Sequence, residues 1–242
     1  MKLILTFLLI LSFSEIHSQT KTDSRWSASL TFNGLYQSGN TNKFFIYGRA
    51  DSKYTAGIVE TILAGSGGYG ESKQTKDDNT YFGSLTTDFF YDKKWSPFFL
   101  QTLEYNFSKG ITIRSQTGLG LKYVVIHDLE HKTSFSIAGI YDYLNLLKKP
   151  QDYEKNEVRV SLRFRTRQIL IDKHLNFLLT VLYQPVVNEI SKKNIYIEST
   201  LEVPLTKIFR LNAIYTYVFD NVVSVGRKRA DNKLTFGGGF YF

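Results

Sequence analysis

The feature that most restricts this chain is a two-residue alternation of apolar and polar side chains that starts near Arg25 and persists to the carboxyl end. Val158, Val160, Leu162 and Phe164 interleave with Arg159, Ser161, Arg163, Arg165 and Arg167. Ile111, Ile113, Leu119, Leu121, Tyr123 and Val125 interleave in the same way with Thr112, Arg114, Gln116, Gly118, Gly120 and Lys122. Successive side chains of a β-strand point to opposite faces, so each run has one apolar and one polar face. The residue types agree with this: 19 Phe and 16 Tyr stand against 1 Met, and aromatic and β-branched side chains suit a pleated surface. An all-β fold is expected. A soluble sandwich or lipocalin-like barrel is the alternative, but it keeps an apolar interior that has no place for four arginines of one strand.

The amino end bears on where such a sheet resides. Met1 and Lys2 precede an apolar run over 3–11, followed by the short polar stretch 12–18, the order of a secretory signal with cleavage after Ser18. The run is shorter than the roughly 20 apolar residues of a spanning helix. The expected organisation is a signal peptide over 1–18 and a single domain over 19–242. No other segment could cross as a helix, so a mature membrane protein would have to span as a closed barrel, which also pairs every backbone polar group within lipid. With 0 Cys, neither a disulfide framework nor a thiolate metal site exists.

The alternation predicts an antiparallel transmembrane β-barrel of about 12 strands, near 25–37, 43–56, 58–70, 79–92, 97–108, 111–127, 132–145, 156–169, 174–186, 194–204, 208–219 and 231–242. These runs exceed the roughly 9 to 11 residues with which a tilted strand crosses a bilayer. Barrels of this kind have short periplasmic turns and longer outer loops. With the amino end in the periplasm, the turns at Gly57, 92–96, 128–130, 170–173 and 205–207 are tight, while 71–79, 146–155, 187–193 and 220–230 form the longer outer set. The outer connections at 38–42 and 109–110 are short exceptions.

At the carboxyl end Leu234, Phe236, Phe240 and the terminal Phe242 alternate with Thr235, Gly237, Gly239 and Tyr241. This resembles the final-strand signal by which the barrel assembly machinery recognises its clients, and makes Phe236, Phe240 and Phe242 candidate assembly residues. Trp26, Tyr36, Phe44, Tyr54, Tyr91, Phe107, Tyr123, Tyr143, Phe209 and Phe219 lie near strand ends, as interfacial girdles require. Trp26 with its alternating strand, the turn Ser38-Gly39-Asn40-Thr41 and the stretch from Thr117 to Tyr123 resemble the salt-induced outer-membrane protein family, catalogued as a domain of unknown function. That resemblance implies a barrel in the bacterial outer membrane, in contact with its lipid and lipopolysaccharide. It carries over no reaction and no catalytic residue, and its name points to a salt response.

Chemistry is sparse in the sequence. Enzymatic barrels of this membrane rely on a histidine near the outer rim, whereas His127, His131 and His174 all fall at predicted periplasmic turns, so no His-assisted serine can form there. His127 and His131 beside Asp128 and Glu130 lack a recognisable metal-site spacing and read as a solvated turn. The stretch 65–70, rich in glycine, lacks the Lys-Ser/Thr of a phosphate loop and reads as close strand packing. No cofactor is expected. The net charge of +8 would suit an anion, but export removes nucleic acid as a partner.

Alternation assigns Arg49, Asp51, Lys53, Glu60, Asp88, Glu104, Arg114, Lys122, Asp142, Arg159, Arg163, Arg165, Arg167, Glu198, Glu202 and Arg210 to the lumen. The hairpin turns would set Glu104 opposite Arg114 and Glu202 opposite Arg210. Twelve strands lie between the side-chain-filled and the open cases, so the inward charges either fill a narrow lumen or line a water path. Three classes of function follow: a structural or permeability barrel in salt and envelope adaptation, a small diffusion channel preferring anions, and an outer-membrane enzyme, which ranks last. The four arginines of 159–167 carry the channel reading, because few acids on neighbouring strands are available to neutralise them.

Overall fold

The structure, a computed structural model, describes residues 25–37, 43–72, 75–128, 130–151, 153–171 and 174–242. The expected signal segment over 1–18 and the turn at 38–42 lie outside these residues. Twelve strands follow one another: β1 Trp26–Gln37, β2 Lys43–Ala56, β3 Val59–Ser72, β4 Thr75–Phe89, β5 Trp95–Asn106, β6 Ile111–His127, β7 His131–Leu146, β8 Asn156–Leu170, β9 Leu175–Pro185, β10 Lys193–Pro204, β11 Phe209–Asp220 and β12 Ala230–Tyr241. Each pairs antiparallel with its sequence neighbour, and β12 pairs with β1 to close the barrel. Closure is completed at the last residue, where the Phe242 N–H donates to the Ala28 carbonyl at 2.8 Å and the Ala28 N–H to the Phe242 carbonyl at 3.0 Å.

One end of the barrel carries the start of β1 and the end of β12 and is called the terminal end; the opposite end is the distal end. At the terminal end the turns at Gly57, between β4 and β5 and at 205–207 are tight as expected, with Gly57 in the left-handed region at φ 56. The distal end departs from it in one place. The segment 71–79, expected to be a long loop, is mostly strand: β3 runs to Ser72, β4 starts at Thr75, and the register slips at Gly70/Glu71. A bulge absorbs the extra residue that the alternation could not accommodate.

The faces sort as the alternation requires, with apolar side chains outward. Leu119 is 70% exposed, and Leu63, Ile137, Leu162, Leu211 and Phe236 are also exposed. Outward aromatics stack in cross-strand pairs at the terminal end, Trp26 on Tyr54 and Trp95 on Tyr123 at 4.5 Å, and Phe209 on Phe240 at 5.1 Å. Ile111 is the exception to the expected faces. The register slips between Ile111 and Ile113, which turns Ile111 inward, where it is buried against Leu144, Leu146 and Val222.

Candidate functional site: the lumen

The inward face is crowded midway along the barrel. Phe98 and Leu100 on β5 pack with Ala138 and Ile140 on β7, and the intervening β6 offers only Gly118 and Gly120 at that level. A Cβ on Gly118 would stand 2.3 Å from Ile140, and one on Gly120 would stand 2.5 Å from Phe98. The glycines therefore make room for inward apolar side chains. Gly68 and Gly70 on β3 do the same for Phe45. Alternation alone missed these apolar residues in the lumen, although each shares its parity with inward polar neighbours.

Nearer the distal end a charged network crosses the lumen. Arg114 of β6 donates to Asp142 of β7 from Nε at 2.9 Å, and from Nη1 to Asp220 of β11 at 2.8 Å, five strands away around the wall. Arg159 pairs with Asp142 at 2.7 Å and with Glu157, and its side chain is 0% exposed. Asn194, with its amide oriented to satisfy both sides, donates to Asp220 at 2.8 Å and accepts from Arg114. Paired in this way, the desolvation of each charge is offset by a partner and by further hydrogen bonds. Glu104 stands opposite Arg114 in the register as expected, but Arg114 spends its ion pairs on Asp142 and Asp220.

Above this network the distal connections lace into a cap. The Ser224 N–H, on the β11–β12 connection, donates to the Lys109 carbonyl at 3.1 Å, and the Lys148 N–H donates to Ser224 Oγ at 2.8 Å. Gly110 is left-handed at φ 67, and a Cβ there would lie 2.4 Å from Ser224. Val222 is buried under the cap with Ile111, Leu144 and Leu146, and Tyr153 donates its hydroxyl to the Leu144 carbonyl.

Other ties span the lumen lower down. Arg49 of β2 holds Asp51 at 2.8 Å and reaches Glu198 of β10 at 4.0 Å. Glu202 accepts from Arg210 at 2.9 Å, from Tyr241 and from Asn176. The register corrects the expected pairing here: Arg210 stands opposite Pro204 and Glu202 opposite Asn212, so the ion pair is diagonal. Lys53 pairs with Glu60 at 3.6 Å and Lys122 with Asp88 at 2.8 Å. The four arginines of β8 divide. Arg159 belongs to the distal network, while Arg163, Arg165 and Arg167 form no ion pair among the described residues; Arg163 donates to Ser136 Oγ at 3.2 Å.

His127, His131 and His174 lie at the terminal end, as expected. Asp128 caps the β6–β7 turn by accepting the N–H groups of Glu130 at 2.9 Å and His131 at 2.7 Å. Those backbone bonds hold its carboxyl below the usual carboxylate range. Phe236, Phe240 and Phe242 all point outward and are exposed.

Comparison with known proteins matches residues 30–242 to the family described as "Protein of unknown function, DUF481". No curated protein matches the chain. Among solved structures, the NanC porin superposes with a TM-score of 0.54 at 14% identity, covering 88% of this chain and 98% of that one. The KdgM porin superposes at 0.47 with 8% identity, covering 89% and 98% respectively. The NanC likeness shows the fold alone, a closed antiparallel β-barrel.

Proposed function

The chain belongs to the DUF481 family of proteins of unknown function, and from that premise we propose that it is an exported bacterial outer-membrane barrel with a structural role in salt and envelope adaptation, its outer mouth closed. On this reading the terminal end faces the periplasm and the distal end faces outward. The single observation that carries it is the distal closure: the Arg114, Asp142, Asp220 and Arg159 network lies across the lumen beneath a cap in which Val222 and Ser224 are buried. The outward apolar surface supports the membrane setting, because a contiguous exposed apolar surface needs a partner and lipid supplies one around a whole barrel. Lipid and lipopolysaccharide are then its surroundings, and the assembly machinery its route there. A catalytic role has little support, since every described histidine sits at the end away from the outer rim.

A second reading, a small channel preferring anions, is favoured by one observation: Arg163, Arg165 and Arg167 face inward and form no ion pair among the described residues. Conductance in planar bilayers separates the two. The wild-type barrel is expected to be silent, and a variant lacking 222–226 is expected to conduct. Steady wild-type conductance would overturn the closed reading. A reversal potential favouring cations across a salt gradient would then remove the anion channel as well.

A further inference from the structure

The β8 arginines that the distal network leaves out are not scattered. Arg163, Arg165 and Arg167 share one face of β8, and their register partners are Ser136, Ser134 and Lys132 on β7 and Leu182, Thr180 and Leu178 on β9. Neither neighbouring strand offers a carboxylate at these levels. Lys132 stands directly opposite Arg167, and like charges directly opposed on paired strands destabilise a sheet. Lys132 lies within electrostatic range of Glu60 but also of Lys122, Lys53 and Arg167, and Arg163 within range of Asp88. The nearby carboxylates are committed elsewhere, Glu60 to Lys53 and Asp88 to Lys122. Lys132, Arg163, Arg165 and Arg167 therefore form no ion pair among the described residues, whereas Arg114 and Arg159 have two ion-pair partners each.

Solvent reaches this cluster. Arg165 and Arg167, close to the terminal end of β8, are exposed although they face inward, so water reaches them from that mouth. The upper limit of that space is the apolar constriction, where the Arg163 guanidinium lies 5.5 Å from the Phe98 ring centroid. Basic groups set side by side, with Glu60 and Asp88 in range but committed to ion pairs with other lysines, repel one another and cost stability unless a ligand offsets them.

We propose that the terminal half of the lumen binds a small multivalent oxyanion through Arg165, Arg167 and Lys132, with Arg163 at its upper edge. Guanidinium forks match phosphate and carboxylate oxygens with paired hydrogen bonds. Arginines two residues apart on a strand stand about 6 to 7 Å apart, so a ligand bearing two or three anionic groups within that span engages both and screens Lys132 from Arg167. A monovalent ion would satisfy one group and leave the rest repelling. The proposal needs only the inward orientation of these residues; its sidedness, entry from the periplasm, rests on the closed-mouth reading above.

The test uses the full folded barrel in neutral detergent, titrated calorimetrically with inorganic tripolyphosphate and, in parallel, with citrate. Saturable binding of tripolyphosphate is expected, weakening as salt screens the charges. Citrate binding of similar strength would assign the site to oxyanions generally, and its absence to phosphates. Arg165→Gln with Arg167→Gln should weaken binding by about tenfold or more, since hydrogen bonds to charged groups are lost. Lys207→Gln, on the exposed β10–β11 turn, should bind as the wild type does. Melting supplies the second readout. Arg167→Gln should leave the melting temperature unchanged or raise it, because it removes an opposed like charge; a structural brace would lower it. Absence of binding, binding unchanged in the double variant, or a clear fall in melting for Arg167→Gln would each overturn the proposal. A conducting wild-type barrel would overturn the closed mouth and leave the detergent binding result standing, so the two failures are read separately.

Discussion

Residues of one type, on one face of one strand, meet different fates in this barrel. Arg159 is fully buried between Asp142 and Glu157, whereas Arg165 and Arg167, six and eight positions along β8, are exposed and form no ion pair among the described residues. Asp142 accounts for much of the contrast, because it receives both Arg114 and Arg159. Asp142→Asn should therefore destabilise the barrel by about 3 to 5 kcal/mol, the cost of leaving buried charge without its counter-charge. Unfolding midpoints in detergent measure this, and a variant as stable as the wild type would show that the network does not brace the wall. Charge is legible in the sequence at every one of these positions. Which arginine is neutralised is not, since Asp220 is more than a hundred residues from Arg114 and meets it only across the lumen.

At the scale of the strand, local pattern was sufficient almost throughout. The alternation predicts β6 over 111–127 and β2 over 43–56, and both are observed with those bounds. It is least informative at bulges, where a single extra residue exchanges the faces: Ile111 turns inward and β3 continues past Gly70. The last strand also carries a prediction. Phe242 closes the seam through paired backbone bonds with Ala28, and its side chain points outward with Phe240 and Phe236. Deleting Phe242 should reduce the amount of folded barrel recovered from membranes well below that of a variant at exposed Lys228 on the β11–β12 connection. Equal recovery would mean that the carboxyl-terminal alternation is an ordinary strand pattern and not an assembly signal.

The whole molecule is a closed ring of twelve strands, so no strand edge is free to begin unfolding. The folded protein should accordingly resist detergent until heated, with a shift in gel mobility on boiling, and should fractionate with the outer membrane; recovery from the soluble periplasm would defeat the membrane reading. By itself the sequence determined the fold class, the strand count and the sorting of faces, because a period of two is a local property that every strand repeats and that pleating converts directly into inside and outside. It also assigned many of the lumen's charges, but not Glu157, Lys132 or Asp220, of which the last was expected in an outer loop. Only the tertiary structure decided which of those charges meet. Contacts such as Arg114 with Asp220 and Arg49 with Glu198 join strands that are not neighbours. They depend on the curvature of the wall and the stagger between strands, which accumulate around the whole ring. The diagonal pairing of Arg210 with Glu202 and the inward folding of Val222 and Ser224 have the same origin. Whether an inward arginine becomes a brace or remains available to a ligand is set by what the closed ring brings opposite it, and no spacing along one strand contains that information.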